Sequence, residues 1–321
     1  MAEDISKKVT KDKPETPKGF VTTTIFPESP QIHNTFSTTR QGTATNQLTK
    51  AKSNKTNTQV DPITGTANLT SGDFIVTMPN FNTLTELKTS THKLLDAITV
   101  AFTESGAKSQ IVTLSLEEYM NRCELKDRKE ARKQAAADLE TLFNARISFK
   151  EKRKNGQDLD YMDIRLCDAV GIRNGIINFS ISNTFYNILS DYPIMPYPAQ
   201  LWKLSARYNP NSYYLLRKIS EHKNMNIGKK NEDVISVKTL LEATPILPTY
   251  TEVMETDRKV NHRIIDPFER DMNALDDTLV WQYSHRNNEP LTDEELVNFD
   301  YEIFESLLIK VTWKVYPERK I

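Results

Sequence analysis

Cysteine is nearly absent, with Cys123 and Cys167 the only two in 321 residues. Their spacing suits neither a zinc site nor a disulfide framework, and a reducing cytoplasm is the expected compartment. No apolar run approaches the roughly 18 residues of a membrane span. The first residues lack the apolar core of a signal peptide. The five histidines, His33, His92, His222, His262 and His285, include no His-x-His pair. A nicking enzyme would need such a metal site beside a nucleophilic tyrosine. "DLDYMD" at 158–163 offers carboxylates, but they alternate as the polar face of a strand does. No GxxxxGK[ST] occurs, and "NIGKK" at 226–230 is not a phosphate loop. GxSxG and HExxH are missing too. Neither an enzyme nor a bound cofactor or metal is expected.

Charge of one sign is also lacking. There are 42 Lys and Arg against 43 Asp and Glu, a net charge of -1. A nucleic-acid surface must then be a local patch. The 38% hydrophobic and 26% charged residues are an ordinary globular balance.

Residues 1–70 are rich in Thr, Ser, Asn, Lys and Pro and have no apolar periodicity. Such a segment buries too little surface to offset chain entropy. It is expected to be a disordered tail, solvated or serving as a binding arm, with order beginning near Phe74. Leu84, Leu87, Leu94, Leu95, Ile98 and Phe102 then share a helical face. "QIVTLS" reads as a strand. Ser115 and Glu118 have the spacing of a capping box for the helix "LEEYMNRCE". "DRKEARKQAAADLETLFNA" is a long helix. "RISFKEKRKNGQDLDYMDIRL" is an alternating hairpin turning at Asn155-Gly156, and more strand follows around Asn174-Gly175. Prolines at 193, 196, 198 and 210 place an inter-domain linker at 191–210. The order then repeats through "NSYYLLRKISEHKNM", "DVISVKT", "TLLEA", the helix "TDRKVNHRIIDPFERDMNAL", "TLVWQYSH" and "KVTWKVYP".

The expected fold is α+β, with two tandem winged-helix (helix-turn-helix) domains related by duplication, at 71–190 and 211–321, behind a disordered N-terminal tail. The sequence match between the halves is slight, with "IVTLSLEEYM" against "VISVKTLLEA" the best.

In the second domain Val260, Ile264, Ile265, Phe268, Met272 and Leu275 share one helical arc, and Arg258, Lys259, His262 and Arg263 the opposite one. Pro267 bends the helix between its basic and apolar ends. Recognition helices place N-terminal residues at base edges, where Arg grips guanine or a phosphate. The alternative is a solvated face on a core helix. Arg128, Lys129, Arg132 and Lys133 repeat the same spacing in the first domain, diluted by Asp127 and Glu130. Lys150, Lys152, Arg153 and Lys154 crowd the hairpin tip, as in a wing that meets phosphates. Residues 271–309 hold ten acidic residues and one basic, Arg286. That stretch is expected to face away from DNA.

"YYLLRKISEHKN", "ISVKTLLE", "YTEVMETDRKVNHRIIDPFERDMNAL" and "LVWQY" together resemble the C-terminal part of the iteron-type plasmid replication initiators, which have tandem winged helices. The resemblance spans about residues 74–321. In that family the recognition helix carries a basic half, a proline and an apolar end, here Arg258 to Arg263, Pro267, and Glu269 to Leu275. The long tail, the strand-rich stretch 157–185 and the acidic insertion 289–305 depart from the pattern. The resemblance implies a protein that binds origin direct repeats of a plasmid or mobile element, bends and opens AT-rich DNA, recruits host replication proteins, and forms a homodimer in another state. A winged-helix regulator without replication activity shares the same DNA face. A protein-interaction module predicts no salt-dependent DNA binding.

Overall fold

The computed structural model describes residues 35–50, 58–71, 74–78, 87–152, 159–286, 289–292, 295 and 300–317. Its first elements are β1 (Phe36–Arg40), α1 (Thr43–Lys50), β2 (Thr58–Val60), β3 (Ala67–Ser71) and β4 (Phe74–Met78). Order therefore starts well before Phe74, and the expected tail is corrected over residues 35–50 and 58–71. Residues 1–34 and 51–57 lie outside the described residues. This polar stretch is stabilised by burial of Phe36, Ala44 and Leu48 and by hydrogen bonding inside the fold. Buried Thr39 meets Thr99 at 3.1 Å, oxygen to oxygen, and the Gln41 amide donates to Asn46 Oδ1. Hydropathy does not register buried threonines whose hydroxyls are satisfied.

The first module follows. It comprises α2 (Thr89–Glu104), β5 (Ile111–Ser115), α3 (Leu116–Arg122) and α4 (Arg128–Asn144). Leu87 precedes α2 and Leu84 lies outside the described residues. Ser115 caps α3 by accepting from the Glu118 amide at 3.4 Å, as its spacing predicts. Asp127 caps α4 by accepting from the amides of Lys129 and Glu130. It satisfies donors that a helix start leaves open.

Four strands come next: β6 (Arg146–Lys152), β7 (Leu159–Arg165), β8 (Cys167–Arg173) and β9 (Ile176–Ile181). The β6–β7 hairpin joins a five-stranded antiparallel sheet of order β2-β3-β4-β6-β7. The sheet of the first module is instead β5-β9-β8. Its wing is thus the β8–β9 hairpin, and the expectation that 146–166 forms the wing is corrected. The cause is pairing: β4 takes the edge of β6, with Val76 opposite Ile147, and leaves β9 to pair with β5.

After α5 (Asn183–Asp191) come β10 (Ile194–Pro198) and the short α6 (Gln200–Lys203). β10 pairs antiparallel with β1, Thr38 opposite Pro196. Tyr197, Leu201 and Trp202 are buried. The expected linker at 191–210 is therefore core structure. Pro196 and Pro198 sit on a two-stranded ribbon, where a missing N–H costs no ladder bond in a central strand.

The second module contains α7 (Ser212–Asn226), β11 (Val234–Ser236), α8 (Val237–Ala243), α9 (Tyr250–Thr256), a π-helical turn (Asn261–Ile265) running into α10 (Asp266–Asn273), β12 (Leu279–Ser284), α11 (Tyr301–Ser306) and β13 (Leu308–Trp313). Its sheet has the order β11-β13-β12. Both modules thus share helix, strand, helix, helix and a two-stranded wing, with the last strand in the middle of the sheet. That is winged-helix connectivity. The first adds β6–β7 before its wing, and the second adds α9 before its third helix.

One hydrophobic cluster runs through both modules, from Ala44 to Val311. At their junction the Asp96 carboxylate of α2 accepts from Arg217 and Tyr213 of α7 and from Tyr197 of β10, the last at 2.9 Å. Burial, then the Asp96 charge, raises both tyrosine pKa values well above ordinary, so both hydroxyls stay protonated donors. Lys93 of α2 donates to the carbonyls of Trp202 and Leu204 at 2.7 Å each.

Candidate nucleic-acid interface

In α4, Ala131, Ala135, Leu139 and Leu142 are buried, while Arg128, Lys129, Arg132 and Lys133 are exposed. The four cations share the solvent side of the third helix, as expected. The true wing adds to them. Its turn is Asn174-Gly175, both residues with positive φ (52° and 77°), the two-residue geometry that Asn-Gly favours. The turn is short and anchored, since the Leu116 amide of α3 donates to the Gly175 carbonyl at 2.8 Å. Arg128 lies against it; a Cβ on Gly175 would meet Arg128 Nη2 at 3.1 Å. Arg132 Nη2 reaches the Ile172 carbonyl of β8 at 3.5 Å. Arg173, exposed at the end of β8, belongs to this basic face. Sequence reasoning missed it because the Lys-rich hairpin upstream was the stronger basic signal.

That hairpin is not part of the first module's three-stranded sheet. Lys150 and Lys152 lie on β6 in the five-stranded sheet, and Arg153 and Lys154 lie outside the described residues.

In the second module the apolar arc is buried as predicted. Ile264, Ile265, Phe268, Met272 and Leu275 are inside, and Val260 packs against the core. The helix itself differs from the expectation. α9 ends at Thr256, and the chain turns through Arg258, which has a left-handed φ of 57°. Arg258 and Lys259 therefore stand in the turn ahead of the helix, while His262 and Arg263 lie in its first turns. Pro267 falls at the start of α10, after the π turn, whose closing bond runs from the Asp266 amide to the Asn261 carbonyl. The wider turn absorbs the absent proline N–H instead of a mid-helix bend.

Arg258, Lys259 and His262 are exposed, and Arg263 is half-exposed. Asp257 lies 3.5 Å from Arg263. The Lys259 amide, then Arg263, holds the Asp257 carboxyl below its usual range. The helix is fixed from behind by Asp271. This fully buried carboxylate accepts from the Asn211 amide and side chain at 2.8 Å each, locking α10 to the start of α7.

The acidic stretch forms the connection between the second module's wing strands. Its α11 folds back, with Phe304 buried edge-on against Phe268 at 5.4 Å. Glu302 on α11 and Asp300 just before it remain exposed. Among the described residues no group of three or more His, Cys, Asp or Glu could hold a metal, and no helix is long and apolar enough to cross a membrane.

No family model and no curated protein matches the chain. Among solved structures it is similar to domains 2 and 3 of RctB, with 10% identity over 84% of this chain and 98% of that chain and a TM-score of 0.46. A second structure of RctB domains 2–3 gives 9% identity over 84% and 97%, with a TM-score of 0.43. The WH1 domain of MSBI1.176, a replication protein isolated from a multiple sclerosis patient, gives 16% identity over 32% of this chain and 80% of that chain, with a TM-score of 0.24.

Proposed function

We propose that this chain is a sequence-specific, non-enzymatic DNA-binding initiator of replication that binds direct repeats at the origin of a plasmid or mobile element. The observation that carries the reading is the repeated module with a basic, solvent-facing start to its third helix: Arg128, Lys129, Arg132 and Lys133 in one, Arg258, Lys259, His262 and Arg263 in the other. The common strand order supports descent of the modules by duplication. Base-edge contacts come from the second module. The first, with Arg173 at its wing, grips phosphates of the adjoining groove. Work on the DNA comes from contact energy spent on bending, which favours opening of AT-rich sequence. Host replication proteins and a homodimer complete the scheme, in a bacterial cytoplasm.

The test is a footprint on DNA flanking the gene, taken across a salt series. Protection of regularly spaced repeats is the expected result. A single protected operator would make the protein a regulator, and no protection at low salt would remove the DNA reading. Arg263→Ala is expected to weaken specific binding by about 1–3 kcal/mol. Unchanged affinity would displace the π turn and α10 as the reading helix.

A further inference from the structure

We propose that the groove beside the second module's wing receives an arginine side chain from a basic segment of a partner protein. The groove is a cavity of about 340 Å³ between α10 and β12, closed at one end by Pro290 and Leu291. Ligand pockets span about 300–1,000 Å³, so this one suits a single side chain. Among the described residues β12 is the outermost strand of its sheet, bridged only at Ser284 by Pro290, which leaves the groove approachable from the side.

Its chemistry favours a flat cation. Glu269 Oε1 accepts from the Tyr283 hydroxyl at 2.9 Å. Among the described residues the second oxygen, Oε2, has no hydrogen bond, so it can accept from a ligand. Burial, together with nearby Asp266, pushes the Glu269 carboxyl above its ordinary range, and an incoming cation would reverse that. Among the described residues no basic one lines the groove, and Arg270, next on the helix, is held by Asp271 at 2.8 Å. The wall is aromatic. The Trp281 indole donates to Asn273 Oδ1 at 3.1 Å and meets Tyr283 edge-on, with ring centroids 5.0 Å apart.

A guanidinium can stack on an indole and fork onto a carboxylate at once, whereas an ammonium offers only its charge. The exposed Asp266 carboxylate adds negative charge beside Glu269, which attracts a basic peptide and repels a phosphate backbone.

The test titrates the full-length protein with a hexa-arginine peptide, a hexa-lysine peptide and a single-stranded oligonucleotide. Calorimetry gives affinity, and the indole N–H signal of Trp281, assigned by its loss in Trp281→Phe, gives the site by NMR. Hexa-arginine is expected to shift that signal and to bind at least 5-fold more tightly than hexa-lysine. Glu269→Gln, which keeps an oxygen for Tyr283 and so the fold, is expected to weaken binding at least 10-fold. Glu117→Gln, on α3 of the other module, should leave binding unchanged. Equal binding of the two peptides, or indifference to Glu269→Gln at unchanged melting temperature, overturns the proposal. A shift of the Trp281 signal by the oligonucleotide instead would make the groove a base pocket and also overturn it. The duplex footprint of Glu269→Gln is expected to match the parent, so failure here is separable from failure of the DNA reading.

Discussion

Arg258 holds a left-handed backbone, a conformation whose cost of about 1 kcal/mol falls on side chains with a Cβ. Arg258→Gly removes that clash but adds chain entropy to the unfolded state, so its stability is expected within about 0.5 kcal/mol of the parent. Arg258→Val, β-branched, should lose roughly 1–2 kcal/mol. Urea unfolding of the pair isolates the backbone effect, since both variants lose the same charge and should lose the same DNA affinity. Asp138 tests burial instead. Ser90, Thr91 and Gln134 all donate to its Oδ1, Oδ2 has no hydrogen-bond partner among the described residues, and burial raises its pKa. A carboxyl with a raised folded pKa favours the protonated native state. Its ionisation therefore costs stability as pH rises past the ordinary aspartate value, and the cost persists above the folded pKa. Asp138→Asn keeps the acceptor and removes that penalty. The variant should match the parent at pH 3.5 and be the more stable at pH 7, as read by denaturant unfolding; a less stable variant at pH 7 would mean the carboxylate is a net stabiliser.

Among the elements, helices were the legible part. Three-residue and four-residue spacing of apolar side chains located α2, α4, α7 and the buried arc of α10 because a helix carries its pattern within itself. Ser115 marked the start of α3 for the same reason, as its cap bond spans three residues. Strand partners were not legible. The hairpin at 146–165 has the alternation of a wing, yet which strand it joins depends on β4, some seventy residues upstream. The basic side chains of α4 could be found from spacing, whereas the contribution of Arg173 depended on knowing which hairpin is the wing. Pairing therefore moves the proposed phosphate contacts to the β8–β9 wing. Removing the charges of Arg128, Arg132 and Arg173 together is expected to flatten the salt dependence of DNA binding by up to about 0.9 per lost contact. Removing Lys150 and Lys152 should flatten it less. A larger effect from the β6 lysines would return that hairpin to the interface.

For the whole molecule, the junction between modules has the character of an interior. Asp96 and Arg217 are both nearly inaccessible, with side chains 5% and 7% exposed, and two tyrosines complete the carboxylate's shell. Removing one partner of such a buried pair leaves a charge without compensation and costs about 3–5 kcal/mol. Arg217→Ala is expected to lose that much and to separate what should be a single cooperative melting transition into two, measurable by calorimetry. A single transition at the parent temperature would show that the Asp96–Arg217 pair is not what couples the modules. The β1–β10 ribbon has a further consequence for how the chain is made. Arg40 of β1 binds the Ser190 carbonyl across 150 residues of sequence, so the partner of the first strand leaves the ribosome only after the entire first module. During synthesis β1 waits as an open edge, and the ribbon closes late, when the helices of the first module have formed and the second module has yet to emerge.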